Sequence, residues 1–369
     1  MQLTAQVQLM PDDVQAAALL ATMKRFNEVC NYVSKIAFEH RCYHPIALHN
    51  LKIGETSLYF NIRANFPEIT ASFVPQVFRK VSDAYKFATK KNKINKKCYF
   101  KYTGAVNYNN QLLRIINTES SNNTGFLTIA TIIGRAKMHF IFGDHQRKLY
   151  GKIGEIKLIY NNHRFYLNIS TEQPNTQLII PTSYLGVDLG ISNIATISSG
   201  KIYTGAQIDQ LRTKYQTHRS SLQKCGSKSA KRRLKLVSGK EANFRKDINH
   251  CISKKIVATA KGTNSGIVLE DLTHIREQIT VRRKQRSRHH GWSFAQLRLF
   301  ISYKAKMVGI PVLYVDPRHT SQRCSGCGHT ERKNRKSQFR FSCLKCGHDA
   351  HADYNAACNL AMMGFTNAS

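Results

Sequence analysis

Residues 2 to 10, QLTAQVQLM, alternate apolar and polar side chains, the two-residue period of a strand with one buried face. The period then changes. In PDDVQAAALLATMKRFNEVCNYVSKIAFEH, Leu19, Leu20, Met23, Phe26, Val29, Cys30 and Val33 recur at helical spacing, and Pro11 with two aspartates suits a first turn. Further helices are predicted over 55–65 and 71–92, so that residues 11–95 read as a small helical bundle. From 98 to 173 the two-residue period returns. GRAKMHFIFG alternates, and GEIKLIYNNHRFYLNIS reads as two strands around Asn161-Asn162, a pair suited to a hairpin turn. Several short strands with turn signals suggest a barrel, which strand 2–10 closes with the helices inserted between. TEQPNTQLIIP has linker composition and marks a boundary near residue 180.

The second half reads as an apolar strand and hairpin in YLGVDLGISNIATIS, then a long basic helical segment over 206–261. A strand GIVLEDL, a basic loop VRRKQRSRHHGW, a helix SFAQLRLFISYKAKMVG and a strand IPVLYVD follow, and no tandem repeat is found. The fold class expected is a multi-domain α/β and β protein.

Asp188 interrupts the first apolar run. A buried carboxylate costs several kcal/mol unless it is paired or binds a metal. By strand alternation Leu185, Val187 and Leu189 face the core, while Gly186, Asp188 and Gly190 face the other way. The flanking glycines leave room there for an ion and a substrate backbone. A lone strand aspartate is more often structural, but two further acids stand in similar places. Glu270 ends GIVLE, with Asp271 on the opposite face or just past the strand. Asp353 begins ADYNAACNLA, a helix whose small residues at 352, 356 and 357 let it lie close on a sheet. Converging carboxylates repel, and hard Mg²⁺ or Mn²⁺ relieves that repulsion. Two such ions activate a water and stabilise the leaving oxygen of a phosphodiester. Asp188 therefore reads as a metal ligand for phosphodiester hydrolysis.

Charge sharpens the picture. The 369 residues carry 56 Lys+Arg against 22 Asp+Glu, a formal +34. The simplest counterweight is a polyanion, nucleic acid above all; the plainer alternative is a very soluble, ribosomal-type basic protein. The densest basic block spans 231–255, where Leu234, Val237, Phe244, Ile248 and Ile252 supply one apolar side and Gly239 is a candidate break. The start MQLTAQVQLMPDDVQ lacks a basic leader and apolar run, and no stretch approaches the ~18 apolar residues of a membrane span. A reducing compartment, the bacterial cytoplasm with its nucleoid DNA, is expected.

The ten cysteines then read as metal ligands and small core residues rather than disulfides. Cys324-x2-Cys327-x15-Cys343-x2-Cys346 has the spacing of a four-cysteine zinc ribbon, with Gly328 and Gly347 after each pair. His329, His348 and His351 are spare ligands that four-coordination does not need. Cys30, Cys42, Cys98, Cys225, Cys251 and Cys358 have no ligand spacing and are expected to pack. Arg332, Lys333, Arg335, Lys336 and Arg340 between the pairs either touch phosphates or form a solvated loop.

Together GVDLGISNIATIS, GIVLEDL, TSQRCSGCG, FSCLKCG and ADYNAACNLA resemble the TnpB family, transposon-encoded proteins related to type V CRISPR effectors and Fanzor proteins. The five blocks stand in the family's order over residues 184–363; the first half matches in layout only. The resemblance implies an N-terminal wedge β-barrel (1–10 and 96–180) with an inserted helical recognition lobe (11–95). After it come an RNase H-like nuclease domain of the RuvC type (181–319 and 350–369) and an inserted zinc ribbon (320–349). It implies an RNA-guided DNA endonuclease, a monomer on its RNA, with a transposon-derived guide and a short motif read beside the double-stranded target. Carried over, Asp188, Glu270 and Asp353 are the RuvC acids that bind Mg²⁺, and Cys324, Cys327, Cys343 and Cys346 bind Zn²⁺. Arg318, Ser321 and Gln322 are weaker candidates for substrate contacts. A guided repressor that does not cleave, a guide-independent nuclease and a transposase are the competing readings.

Overall fold

Alternation places β1 (Gln2–Met10) well: in the computed structural model Ala5, Val7 and Leu9 are buried while Thr4, Gln6 and Met10 are exposed. The structure describes residues 1–91, 95–117, 123–144, 146, 152–174, 176–190, 192–271 and 294–367. The expected basic loop VRRKQRSRHHGW lies outside them. The chain forms two units, Met1–Pro174 and Asn175–Ser369. The second takes up the chain a few residues ahead of the boundary expected near 180. Thr176 already donates to the Met307 carbonyl at 3.1 Å, and the Ile179 amide to that of Gly309 at 2.8 Å.

In the first unit α1 (Asp13–Glu39) starts at an Asp12 cap, whose carboxylate accepts from the Gln15 amide at 2.8 Å. A short α2 (Pro45–Asn50) and a two-residue hairpin, β2 (Lys52–Ile53) with β3 (Thr56–Ser57), were not anticipated. They delay the next helix, α3 (Leu58–Asn65), by three residues. A single 3₁₀ turn then leads into α4 (Val74–Lys90). The remaining strands are β4 (Val106–Tyr108), β5 (Leu113–Asn117), β6 (Thr124–Thr131), β7 (Gly134–Ile141), β8 (Lys152–Asn161) and β9 (Arg164–Glu172). They join β1 in an antiparallel sheet of order β4-β8-β9-β1-β7-β6-β5. Its outermost strands, β4 and β5, are consecutive in the chain. Seven flat strands would put them about 29 Å apart, yet the short link between Tyr108 and Leu113 reaches about 18 Å at most. The sheet must therefore curl until it is nearly closed. Helices and sheet share one core, in which Phe26, Val33 and Phe78 meet Tyr108, Leu127 and Leu158. The β8–β9 turn falls one residue later than expected, on Asn162 and His163, because these two residues take the positive φ values (49° and 60°) that a tight hairpin turn needs.

The second unit is built on β10 (Ser183–Asp188), β11 (Asn193–Ile197), β12 (Ile202–Thr204), β13 (Ser265–Glu270) and β14 (Val312–Val315). The order is β12-β11-β10-β13-β14. The last three strands of that order run parallel, and β11 and β12 are antiparallel additions. The basic segment is two helices, α5 (Ala206–Cys225) and α6 (Lys228–Gly262). The break is not at Gly239, which lies exposed within α6 with nothing near it. It is at Gly226, left-handed with φ 64°, followed by Ser227, whose side chain caps α6 by accepting from the Ala230 amide at 3.1 Å. Helix α7 (Phe294–Met307) packs with α6 on one face of the sheet, where Leu185, Val187 and Leu269 meet Ile256 and Leu297. Helix α8 (Ala352–Asn367) covers the other face, where Val268 and Val315 meet Leu360. No described helix is long and apolar enough to cross a membrane.

The glycines around Asp188 serve packing rather than an ion or substrate. A Cβ on Gly186 would lie 1.9 Å from the Ala357 carbonyl of α8, and one on Gly190 would lie 2.8 Å from the Asn193 carbonyl. Gly186→Ala should therefore force α8 off the sheet, at a cost of roughly 1–3 kcal/mol or more. A chemical-denaturation midpoint equal to that of the parent would contradict this contact.

Candidate active site

Parallel pairing places the first two acids together. Val187 is in register with Leu269, so Asp188 and Glu270 follow at the same ends of adjacent strands. The third arrives through α8. Ala357 sits over Gly186, and Asp353 lies one helical turn earlier, about 6 Å back. Asp188 lies about the same distance beyond Gly186 along the strand. The small residues read from ADYNAACNLA make this approach possible; Ala352, Ala356 and Ala357 are all buried.

The three carboxylates feel one another. Burial, then Glu270, then Asp353 push the Asp188 carboxyl well above the ordinary carboxylate range, and Arg335 opposes the shift. Burial pushes Glu270 up to about 7, against a 3.4 Å hydrogen bond donated by Thr320. Asp353 is 5% exposed and well supplied with partners. Asn193 Nδ2 donates to its Oδ2 at 2.9 Å, and the Arg335 guanidinium lies 3.5 Å from its Oδ1. Asp271 points elsewhere and is ion-paired with Arg298 on α7 at 3.1 Å.

The four cysteines form a tighter group. All four Sγ atoms lie within 4.8 Å of one another, the one such set of potential metal ligands among the described residues, so the carboxylates are not gathered to that degree. Cys324 and Cys346 are 3.7 Å apart and Cys327 and Cys343 3.6 Å. Tetrahedral zinc with Zn–S bonds of about 2.3 Å needs sulfurs about 3.8 Å apart. The two knuckles repeat one design. Gly328 and Gly347 are left-handed, and their amides donate to the Cys324 and Cys343 carbonyls at 2.9 and 3.0 Å. None of the three histidines joins this group; the ring of His351 accepts from the Asp353 amide at 3.3 Å. A small hairpin, β15 (Arg340–Ser342) with β16 (Asp349–His351), leads from the second knuckle into α8.

Buried asparagines that sequence reasoning missed join the parts. Asn355 donates to the Arg323 carbonyl at 2.8 Å and accepts from the Ser325 amide at 2.9 Å. Asn359, one turn on, donates to the Thr320 and Arg323 carbonyls at 2.9 and 2.7 Å. Asn334 bridges the knuckles, donating to the Gln322 carbonyl at 3.0 Å and accepting from the Leu344 amide at 3.0 Å. The i, i+4 pair of asparagines in DYNAACNL was the available signal.

Of the basic residues between the knuckles, Arg335 turns toward the acids, Arg340 pairs with Asp349 at 2.9 Å, and Arg332, Lys333 and Lys336 are exposed. Arg318 is exposed beside Asp316, while Ser321 and Gln322 are half-buried at the foot of the ribbon. On α6, Lys231, Arg232, Arg233 and Lys235 are exposed and Val237 and Ile252 buried, as the apolar pattern requires. Two cysteines break the packing expectation: Cys225 and Cys251 are exposed, because each lies on the outward side of its helix.

Comparison with known proteins follows this layout. The model described as "Probable transposase" matches residues 168–275, a span containing Asp188 and Glu270. The model described as "Cas12f1-like, TNB domain" matches residues 294–360, which contain the four cysteines and Asp353. The chain is a relative of the TnpB and Cas12f proteins. It is 35% identical over 219 residues to the CRISPR-associated endodeoxyribonuclease Cas12f1 of Sulfoacidibacillus thermotolerans, covering 54% of this chain and 50% of that protein. It is 29% identical over 245 residues to the putative RNA-guided DNA endonuclease InsQ of Escherichia coli, covering 60% and 59%. The chain thus spans about half to three fifths of these two relatives. Its fold resembles that of Cas12f1 in a cryo-EM complex with sgRNA and target DNA, with a TM-score of 0.63 and 16% identity over 93% of this chain and 82% of that one.

Proposed function

We propose that the chain is an RNA-guided DNA endonuclease of the TnpB type. The observation that carries this reading is the electrostatic coupling of Asp188 to both Glu270 and Asp353 at one end of the second sheet. The strand order, three antiparallel strands followed by two parallel ones, supports an RNase H-like assignment of the RuvC type for 181–319 and 350–369, with residues 320–349 as the inserted ribbon. Asp188, Glu270 and Asp353 would hold Mg²⁺ or Mn²⁺. The donor set fits, since buried carboxyls whose ionisation is disfavoured are the groups a hard dication stabilises. When bound, such ions supply water activation and charge stabilisation at the leaving oxygen. The protein's own groups do the positioning. Asn193 orients Asp353, Thr320 orients Glu270, and Arg335 carries a fixed positive charge where a phosphate would enter. The four cysteines would hold a structural zinc that fixes the ribbon.

Guide RNA and target double-stranded DNA are the partners this reading names, and a formal +34 supports a polyanion. The test is to sequence RNA that copurifies with the protein and then assay DNA carrying the matching sequence. Cleavage of matched but not mismatched DNA is expected. Binding without cleavage would favour a repressor, and cleavage without RNA a guide-independent nuclease.

Replacing Lys231, Arg232, Arg233 and Lys235 by glutamine should weaken RNA or target affinity. It should also flatten the salt dependence by about one unit of slope per lost phosphate contact. The sequence cut should not change, because phosphate contacts position while base pairing specifies. Affinity and slope equal to those of the parent would mean that this face meets only solvent.

A further inference from the structure

Residues 95–105, NKKCYFKYTGA, belong to no strand of the sheet, yet their main chain is tightly held. Ser34 Oγ donates to the Cys98 carbonyl at 2.7 Å. Asn31 accepts from the Phe100 amide and donates to its carbonyl, both at 2.8 Å. Asn27 Nδ2 donates to the carbonyls of Tyr102 and Gly104 at 3.3 and 2.9 Å. The three pins stand on successive turns of α1, about 5.4 Å apart, and engage every second residue of an extended chain, about 6.6 Å apart. Because the two repeats nearly match, alternate side chains are left facing outward.

The inward set is Cys98 and the buried Phe100, beneath which Lys80 lies 5.2 Å from the ring centre and donates to Asn27 Oδ1 at 2.6 Å. The outward set is Lys97, Tyr99 and Lys101, with Tyr102 beside them. Tyr99 is 68% exposed and Tyr102 50%. Asn27 and Ser34 are wholly buried, and buried polar side chains are tolerated only when hydrogen-bonded. Here those bonds fix a surface segment in place. Two open aromatic faces on an immobilised backbone, interleaved with lysines, form a stacking platform with little ordering entropy left to lose.

We propose that Tyr99 and Tyr102 stack unpaired nucleobases of a single strand whose phosphates are met by Lys97 and Lys101. This site rests on the nucleic-acid reading above and adds a place to it. Guide RNA and displaced DNA offer the same chemistry, so the test runs both. Full-length protein is irradiated with a 12-nucleotide RNA containing 5-iodouridine, and separately with the matching 5-iododeoxyuridine DNA. Crosslinks mapping to Tyr99 or Tyr102 are expected, in the RNA arm, the DNA arm or both according to which strand the platform takes. The Y99A/Y102A variant should bind the same oligonucleotide about fivefold to a hundredfold more weakly per stacked base, with its salt slope unchanged. Y99F/Y102F should retain affinity, and K97Q/K101Q should lower the slope by about two. Crosslinks confined to other residues in both arms, or unchanged affinity in Y99A/Y102A, would overturn the platform. Guided cleavage by the parent protein is measured in parallel. Cleavage without a crosslink at either ring sinks the platform alone, whereas crosslinks without cleavage sink the nuclease reading and leave the platform standing.

Discussion

Asp188→Ala is expected to reduce target cleavage by about a thousandfold or more, the equivalent of roughly 4 kcal/mol of barrier, while RNA and target binding stay nearly unchanged. The carboxylate lies where β10 ends beside β13 and α8. Removing it takes a ligand from the proposed dication site, whereas affinity for nucleic acid is spread over many basic residues elsewhere. Stability should move the other way. Burial and two neighbouring acids raise the Asp188 pKa in the folded protein. An acid so shifted contributes stability below its unfolded pKa and loses it as pH rises through the folded value. Asp188→Asn, which cannot ionise, should therefore denature later than the parent at pH 8 in magnesium-free buffer, with the gap closing toward pH 4. Glu270→Ala and Asp353→Ala should also lose cleavage. Nicking and binding assays side by side decide the matter, since full cleavage by any one variant would remove that residue from the site.

Cys343→Ser should lower zinc content and unfold the ribbon, and cleavage should fall with it. The ribbon's own apolar cluster is small: Cys324, Phe341, Cys343 and Ala352. Such a segment folds through its metal. Its first knuckle is docked on α8 by Asn355 and Asn359, and its second runs through β16 into that helix. Disorder should therefore spread to Asp353 at the start of α8 and carry Arg335 away from it. Elemental analysis is the direct check, and a variant with undiminished zinc would sink the cysteine assignment.

Much of this was legible in the sequence because it rests on period and spacing. Alternation located β1 and the inward side of β10, and the two CxxC pairs located the knuckles. What failed depended on a partner distant in the chain. Gly186 and Gly190 looked like space around a ligand, but Gly186 is a contact with a helix that begins at residue 352. Gly239 and Gly226 are both glycines in a basic helical stretch, and only the cap on Ser227 tells which one ends a helix. Arg335 sits in a run of basic residues and differs from its neighbours only in facing Asp353. Nor does a local pattern say that an asparagine in α1 or α8 is buried against the main chain of another segment.

The position of β1 bears on how the protein is made. It lies between β9 and β7, so the first strand to leave the ribosome is an interior strand of its sheet. Its neighbours arrive only when the chain has reached Ile141 and Glu172. Until then Leu3, Val7 and Leu9 have no sheet to enter while α1–α4 emerge behind them. Such long-range pairing is slow and leaves an apolar edge open to association. The N-terminal unit should thus mature only after Glu172 clears the exit tunnel, and a nascent chain stalled before that point is the form most dependent on a holding chaperone.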